Sequence, residues 1–174
     1  DCLSAFFLPF TDHLSPIFDN FNRKIRSSTP SLNDFFGSFN ERLFHVGRLD
    51  KESEGLIILT NDGQWAHEAT HPSFGVKKTY LVLCEQEVTN KLLEQLKKGV
   101  ELDDGLAKPI SVERRGAWIE LVIHEGRNQI VRRIFETLGN PVERLVRTAI
   151  GSVRLGELPV GKWRALQEQE VINL

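Results

Sequence analysis

From residue 42 onward the apolar positions fall into short segments whose period changes from one to the next. "LIILT" (56–60) is an unbroken apolar run of strand length. "NDGQWAHEAT" (61–70) predicts a helix: Asp62 stands where a side-chain oxygen accepts the first free backbone N–H groups, and Pro72 turns the residue before it away from helical backbone. "KTYLVLC" (78–84) reads as another strand. Thr89 caps a helix over "NKLLEQLKK", with Leu92, Leu93 and Leu96 on one face and Gly99 as a left-handed stop. "AWIELVIH" (117–124) alternates as a half-buried strand, and "NQIVRRIFETLG" (128–139) predicts an amphipathic helix ending at Gly139. "VERLVR" and "GSVRL" are two further strand candidates. Strands and helices mixed in this order predict an α+β domain over residues 41–174, not an alternating doubly wound sheet.

Residues 1–40 differ. They hold eight of the eleven phenylalanines around "SSTPS" and keep neither the helical nor the strand period. A wrapped arm, a linker and an insertion all fit, as part of the domain or appended to it. The chain of 174 residues, 40% hydrophobic and 26% charged, suffices for one core. It contains no methionine, so it is expected to be cut from a longer precursor or gene product. No apolar run nears the roughly 18 to 20 residues that span a bilayer, and "DCLSAFFLPF" lacks the basic stretch of a signal peptide. Cys2 and Cys84 make no disulfide framework, which fits a reducing, intracellular setting. The net charge of −2 hides an uneven distribution: Lys108 to Arg164 carry eleven Lys and Arg against six Asp and Glu. Such a basic half suits a polyanionic partner, with scattered surface charge as the alternative.

His67, Glu68 and His71 spell His-Glu-x-x-His, the pattern of a helical zinc site. That chemistry needs both imidazoles on one face of a continuous helix and a third ligand further on. Pro72 places His71 at or beyond the last turn, no "HExxHxxGxxH" continuation follows, and His124 is remote. Solvated polar residues on a terminal turn are the expectation, with no metal.

"HVGRLDKESEGLIILTNDG" (45–63), "KKTYLVL" and "HEGRNQIVRRIFETLGNPVERLVRTAIGSVRLGELPVGKWRAL" resemble, in order, the signatures of the pseudouridine synthases, in the branch that acts on ribosomal RNA. The resemblance covers about residues 41–170 and implies a mixed, mainly antiparallel sheet flanked by helices. It implies that Asp50 is the nucleophile; its neighbours Arg48 and Lys51 favour an ionised carboxylate, as that role requires. It implies that Tyr80, the only tyrosine, stacks on the target uracil, and that Arg132 pairs with Asp50. It implies no cofactor.

RNA contacts are expected from Arg48, Lys78, Arg127, Asn128, Arg133 and Arg147, with Lys77 and Arg144 as further phosphate candidates. A monomer is expected, in the cytoplasm of a bacterium or in a plastid or mitochondrion of a eukaryote. Two departures stand out. "GRNQIVRR" has Gln129 and Ile130 where the family commonly has an Arg-Gln pair, and the family's strand before "GRLD" is not visible in residues 1–40. The alternative reading is a catalytically silent RNA-binding domain of the same fold.

Overall fold

Every residue from Glu54 to Thr60 is buried, as expected of a strand covered on both faces. The computed structural model describes residues 3–8 and 43–174, so Cys2 and most of the phenylalanine-rich segment lie outside the described residues. The buried run is β3 (Glu54–Thr60), preceded by β1 (Leu3–Leu8) and β2 (Phe44–Val46). Then come α1 (Gly63–Thr70), β4 (Lys78–Cys84), α2 (Asn90–Lys98), β5 (Val100–Leu102), β6 (Gly105–Ala107), β7 (Ser111–Arg115) and β8 (Trp118–Ile123). The chain closes with α3 (Ile130–Thr137), β9 (Val142–Ile150), β10 (Val153–Arg154), β11 (Trp163–Ala165) and α4 (Glu168–Ile172).

The main sheet runs β11-β1-β3-β9-β4-β8-β7, with β2 added to β3 and β10 to β9, and β5-β6 form a separate hairpin. Only β3 and β9 pair in parallel; the other pairs are antiparallel. The α+β class and the mainly antiparallel sheet expected from sequence are thus observed.

Local signals placed several elements well. Asp62 caps α1 by accepting from the Trp65 amide at 2.9 Å, and Thr89 caps α2 through Leu92 at 3.2 Å. β8 alternates between half-buried and buried positions along its length. Four details differ. Gly99 has positive φ (98°) but an extended ψ (157°), so α2 ends in a glycine-only extended conformation and not in a left-handed cap. "VERLVR" continues through Ile150 as one nine-residue strand, β9. "LSAFFL" has no period-2 pattern, yet it forms β1 between β11 and β3, a placement decided by its partners. A short strand, β2, does precede "GRLD".

Two apolar clusters sandwich the sheet. Val82, Cys84, Ile119, Leu121 and Leu145 pack with Leu92 and Leu96 of α2 and with Ile134 and Phe135 of α3. Leu56, Ile58, Val146 and Ile150 pack with Ala66 and Ala69 of α1. Each fully buried side chain of this kind contributes about 1.5–3 kcal/mol. Tyr80 and Val82 contact the first cluster and Leu81 the second, as alternation along β4 requires. Burial pushes the Cys84 thiol up to about 11. At pH 8 it is therefore protonated, and the native protein should leave Cys84 unalkylated by iodoacetamide while the unfolded chain reacts, as peptide mass spectrometry would read.

Candidate active site

Thr60 of β3 pairs with Leu3 of β1 and with Phe44 of β2, so those strands occupy opposite edges. Gly55 likewise pairs with Leu8 and with Arg147 of β9. It follows that β2 and β9 share one edge of β3, β2 at its end and β9 at its start. A cavity of about 640 Å³ is lined by residues of both these diverging strands, by Lys78 and Tyr80 of β4, by the loops at 47–50 and 125–129, and by the start of α3.

Asp50 is half-buried in the wall of this cavity. Its carbonyl accepts from the Ser53 amide at 2.9 Å, closing a tight turn, while its carboxylate has no hydrogen bond or ion pair among the described residues. Tyr80 lies opposite Arg147 across the β4–β9 ladder, which sends both side chains to the same face of the sheet. Lys78, two residues earlier, shares that face; burial, and then the charge of Arg147, hold its ammonium below the usual lysine range.

The expected site residues divide into groups. Asp50, Tyr80, Arg48, Lys78, Arg127, Asn128 and Arg147 line one cavity, and Arg132 and Arg133 do not. Arg132 is buried on α3 and donates to the carbonyls of Val142 (3.0 Å) and Glu52. Its carboxylate neighbour is Glu52 at 3.8 Å, too long for a hydrogen bond, and not Asp50 as the resemblance implied. Two of its three guanidinium nitrogens are taken by the Val142 and Glu52 carbonyls.

Arg127 and Arg133 are committed elsewhere. Arg127 donates to Glu125 (2.7 Å), to the Asp104 carboxylate (2.6 Å) and to the carbonyls of Gly105 and Leu106. Arg133 binds Asp103 and, at 2.8 Å, Asp104. Together they fasten the β5-β6 hairpin to the cavity rim, and this use of them was not visible in the sequence. The hydrogen bond from Arg133, followed by the charges of both guanidinium groups, holds Asp104 down at about 2. A carboxylate lowered in the folded state stabilises it above its ordinary value of 3.8, and that contribution is lost as pH falls through about 2. Asp104→Asn should therefore loosen the hairpin at neutral pH, whereas the wild type loosens only between about pH 4 and 2. Amide exchange at Gly105 and Leu106, corrected for its intrinsic pH dependence, reads both.

Arg144 of β9 pairs with the buried Glu54 carboxylate, one oxygen at 3.1 Å, and sits over the Trp118 ring at 5.7 Å, so it too is engaged in packing. Sequence reasoning missed Ser53 and Gln129, both of which line the cavity. Gln129 is the one non-glycine residue with positive φ (46°) among the described residues, just ahead of α3. Its place in "GRNQIVRR" was the available signal. His71 leaves α1 with extended backbone (ψ 132°) and pairs its ring with Ser73 at 2.7 Å, as the proline after it dictates.

Residues 22–137 match the family profile of the RNA pseudouridylate synthases. The chain belongs to that family. This pseudouridylate synthase domain is 42% identical over 149 residues to an uncharacterized RNA pseudouridine synthase of Aquifex aeolicus, covering 83% of this chain and 60% of the relative. It is 35% identical over 150 residues to the ribosomal large subunit pseudouridine synthase B of Bacillus subtilis, covering 82% and 62%. A crystal structure of a pseudouridylate synthase superposes with a TM-score of 0.79 at 29% identity, covering 99% of this chain and 73% of that one. The synthase domain spans about 55–60% of the length of such curated relatives.

Proposed function

We propose that this domain isomerises a uridine of ribosomal RNA to pseudouridine, with Asp50 as the nucleophile. The observation that carries the reading is an unpaired, half-buried carboxylate in the wall of a cavity of about 640 Å³ that also holds the only tyrosine. Asp50 attacks the target nucleotide as the bond between uracil and sugar breaks, the uracil turns, and its rejoining through carbon displaces the carboxylate, which is freed for the next turnover. Tyr80 stacks on the base and takes part in removing the C5 proton. A duplex uridine must first leave its stack, at a cost of a few kcal/mol that base stacking and phosphate contacts offset.

Arg48 is exposed beside Asp50, well placed to fill the space the base leaves. Arg48, Lys78 and Asn128 supply the polar rim. Ribosomal RNA is favoured as substrate by relatives named for the ribosomal large subunit, including synthase E of Vibrio parahaemolyticus at 35% identity. The reaction requires no redox group or metal, and the proposed setting is inside a cell, where that RNA is found.

The test is to incubate the intact protein with ribosomal RNA and map pseudouridine, with Asp50→Asn alongside. Modification of a defined site by the wild type alone supports the reading. Equal RNA binding by both proteins, with no modification by either, would make this a silent RNA-binding domain.

A further inference from the structure

"HEATHPSF" (67–74) takes no part in the chemistry proposed above, yet it borders the cavity. Ala69 and Thr70 line the cavity where α1 ends, and Lys78 lines it where β4 begins. The segment between Thr70 and Lys78 therefore runs along the rim. Phe74 stands four residues from each of those walls, a span of at most about 14 Å.

The segment is anchored from within. Val76 is buried in the cluster that packs α1, and the Lys77 carbonyl accepts from the Gly151 amide at 2.8 Å. Ahead of that anchor a single 3₁₀ turn (Pro72–Phe74), followed by Gly75 with φ of 61°, leaves His71, Ser73 and Phe74 exposed. Phe74 is 59% exposed. An isolated apolar side chain at the surface is ordinary. Here it ends a row of exposed rings: His67 and His71 lie 5.4 Å apart between centroids, and His71 and Phe74 lie 6.4 Å apart, edge to face.

The charge of the rim says what the row would meet. From Ala69 to Cys84 the chain has no Asp or Glu, and Lys77 and Lys78 stand at adjacent positions, so a polyanion is favoured. Glu68 accepts from Gln64 at 3.2 Å, one helical turn back along α1. The Nδ1 of His71 accepts from the Ser73 amide at 3.3 Å, which puts the proton of the neutral ring on Nε2, a donor suited to a phosphate oxygen.

We propose that this rim is a stacking surface for an unpaired nucleotide beside the target uridine: its base lies on the Phe74 ring, and Lys77 and His71 take the adjoining phosphate. This rests on the reading that the cavity takes a uridine of RNA. A strand that lowers one base into the cavity must cross the rim as it leaves, and an aromatic face there accepts any base. Stacking on Phe74 returns to the neighbour the contact it loses when the uridine leaves its stack.

The test uses the intact protein and a short single-stranded oligouridylate carrying one 2-aminopurine, whose fluorescence falls when it stacks on an aromatic ring. The wild type should quench this probe on binding. Phe74→Ala and Phe74→Leu should abolish most of the quenching and weaken affinity roughly tenfold, while Phe74→Trp keeps both. Lys77→Ala should keep the quenching and flatten the dependence of affinity on salt. On RNA that the wild type modifies, Phe74→Ala should raise KM with kcat little changed. The proposal is overturned if the wild type does not quench the probe, if Phe74→Leu quenches as the wild type does, or if Phe74→Ala binds as tightly. A thermal midpoint lowered in Phe74→Ala together with its affinity would make the ring a packing group and would equally overturn it. Quenching needs no turnover, so a wild type that quenches the probe and makes no pseudouridine removes the proposed function alone.

Discussion

Asp50→Asn is expected to lower the rate of pseudouridine formation by roughly 10⁴-fold or more, the scale seen when a nucleophile is removed from a preorganised site. That corresponds to about 5 kcal/mol of barrier. Asparagine keeps the shape of the side chain and loses the charge and the nucleophilic oxygen. Asp50 has no side-chain hydrogen bond or ion pair to lose among the described residues, so the fold should be indifferent to the change. The thermal midpoint and the affinity for RNA should stay close to wild type while product disappears. Single-turnover assays with mapped product check the first part, and filter binding checks the second. Residual activity within tenfold of wild type would mean that another group attacks.

Gly55→Ala is expected to be the most damaging conservative change to the fold. Gly55 has φ of +113°, and a Cβ there would stand 2.3 Å from the Arg147 carbonyl oxygen and 2.7 Å from its amide nitrogen. Those are backbone atoms of the neighbouring strand, so no rotamer change relieves the clash. Gly55 is also one of the residues through which β3 pairs in parallel with β9, where the strand carrying Arg147 passes closest to the strand that follows Asp50. Strained backbone and forced strand separation together place the cost at about 3–5 kcal/mol. For a slope of about 2 kcal/mol per molar, the urea midpoint should drop on the order of 2 M. A midpoint within 0.5 M (roughly 1 kcal/mol at that slope) would show that the two strands can part at little cost. Because Arg147 holds the Arg48 carbonyl, the folded fraction should also show weakened protection around residues 47–50.

The "EGL" of the signature thereby acquires a physical reason: the glycine is where two backbones touch. Other parts of the site could be read without coordinates. "GRLD" in a turn ahead of an apolar strand, and a lone tyrosine on an alternating strand, lie in the structure as local chemistry predicts, because caps, prolines and side-chain period act over a few residues. The partners of the arginines were not legible. Arg127, Arg132, Arg133, Arg144 and Arg147 look alike in sequence, yet Arg127 and Arg133 share Asp104 of the hairpin, Arg132 and Arg147 end on the Glu52 and Arg48 carbonyls, and Arg144 ends on the buried Glu54 carboxylate.

The sequence by itself determined the α+β class, the caps at Asp62 and Thr89, the strands that bear Tyr80 and follow Asp50, and the family to which both belong. Those follow from interactions within a few residues and from motifs in a fixed order. Only the tertiary structure decided that Leu3–Leu8 enters the sheet between β11 and β3, and that β2 and β9 fork from one edge of β3. It alone decided that Arg147 reaches the Asp50 segment across 99 residues of chain while Arg132 stops at Glu52. Strand order and the direction of a long side chain depend on contacts between distant segments, which leave no periodicity along the chain to be read.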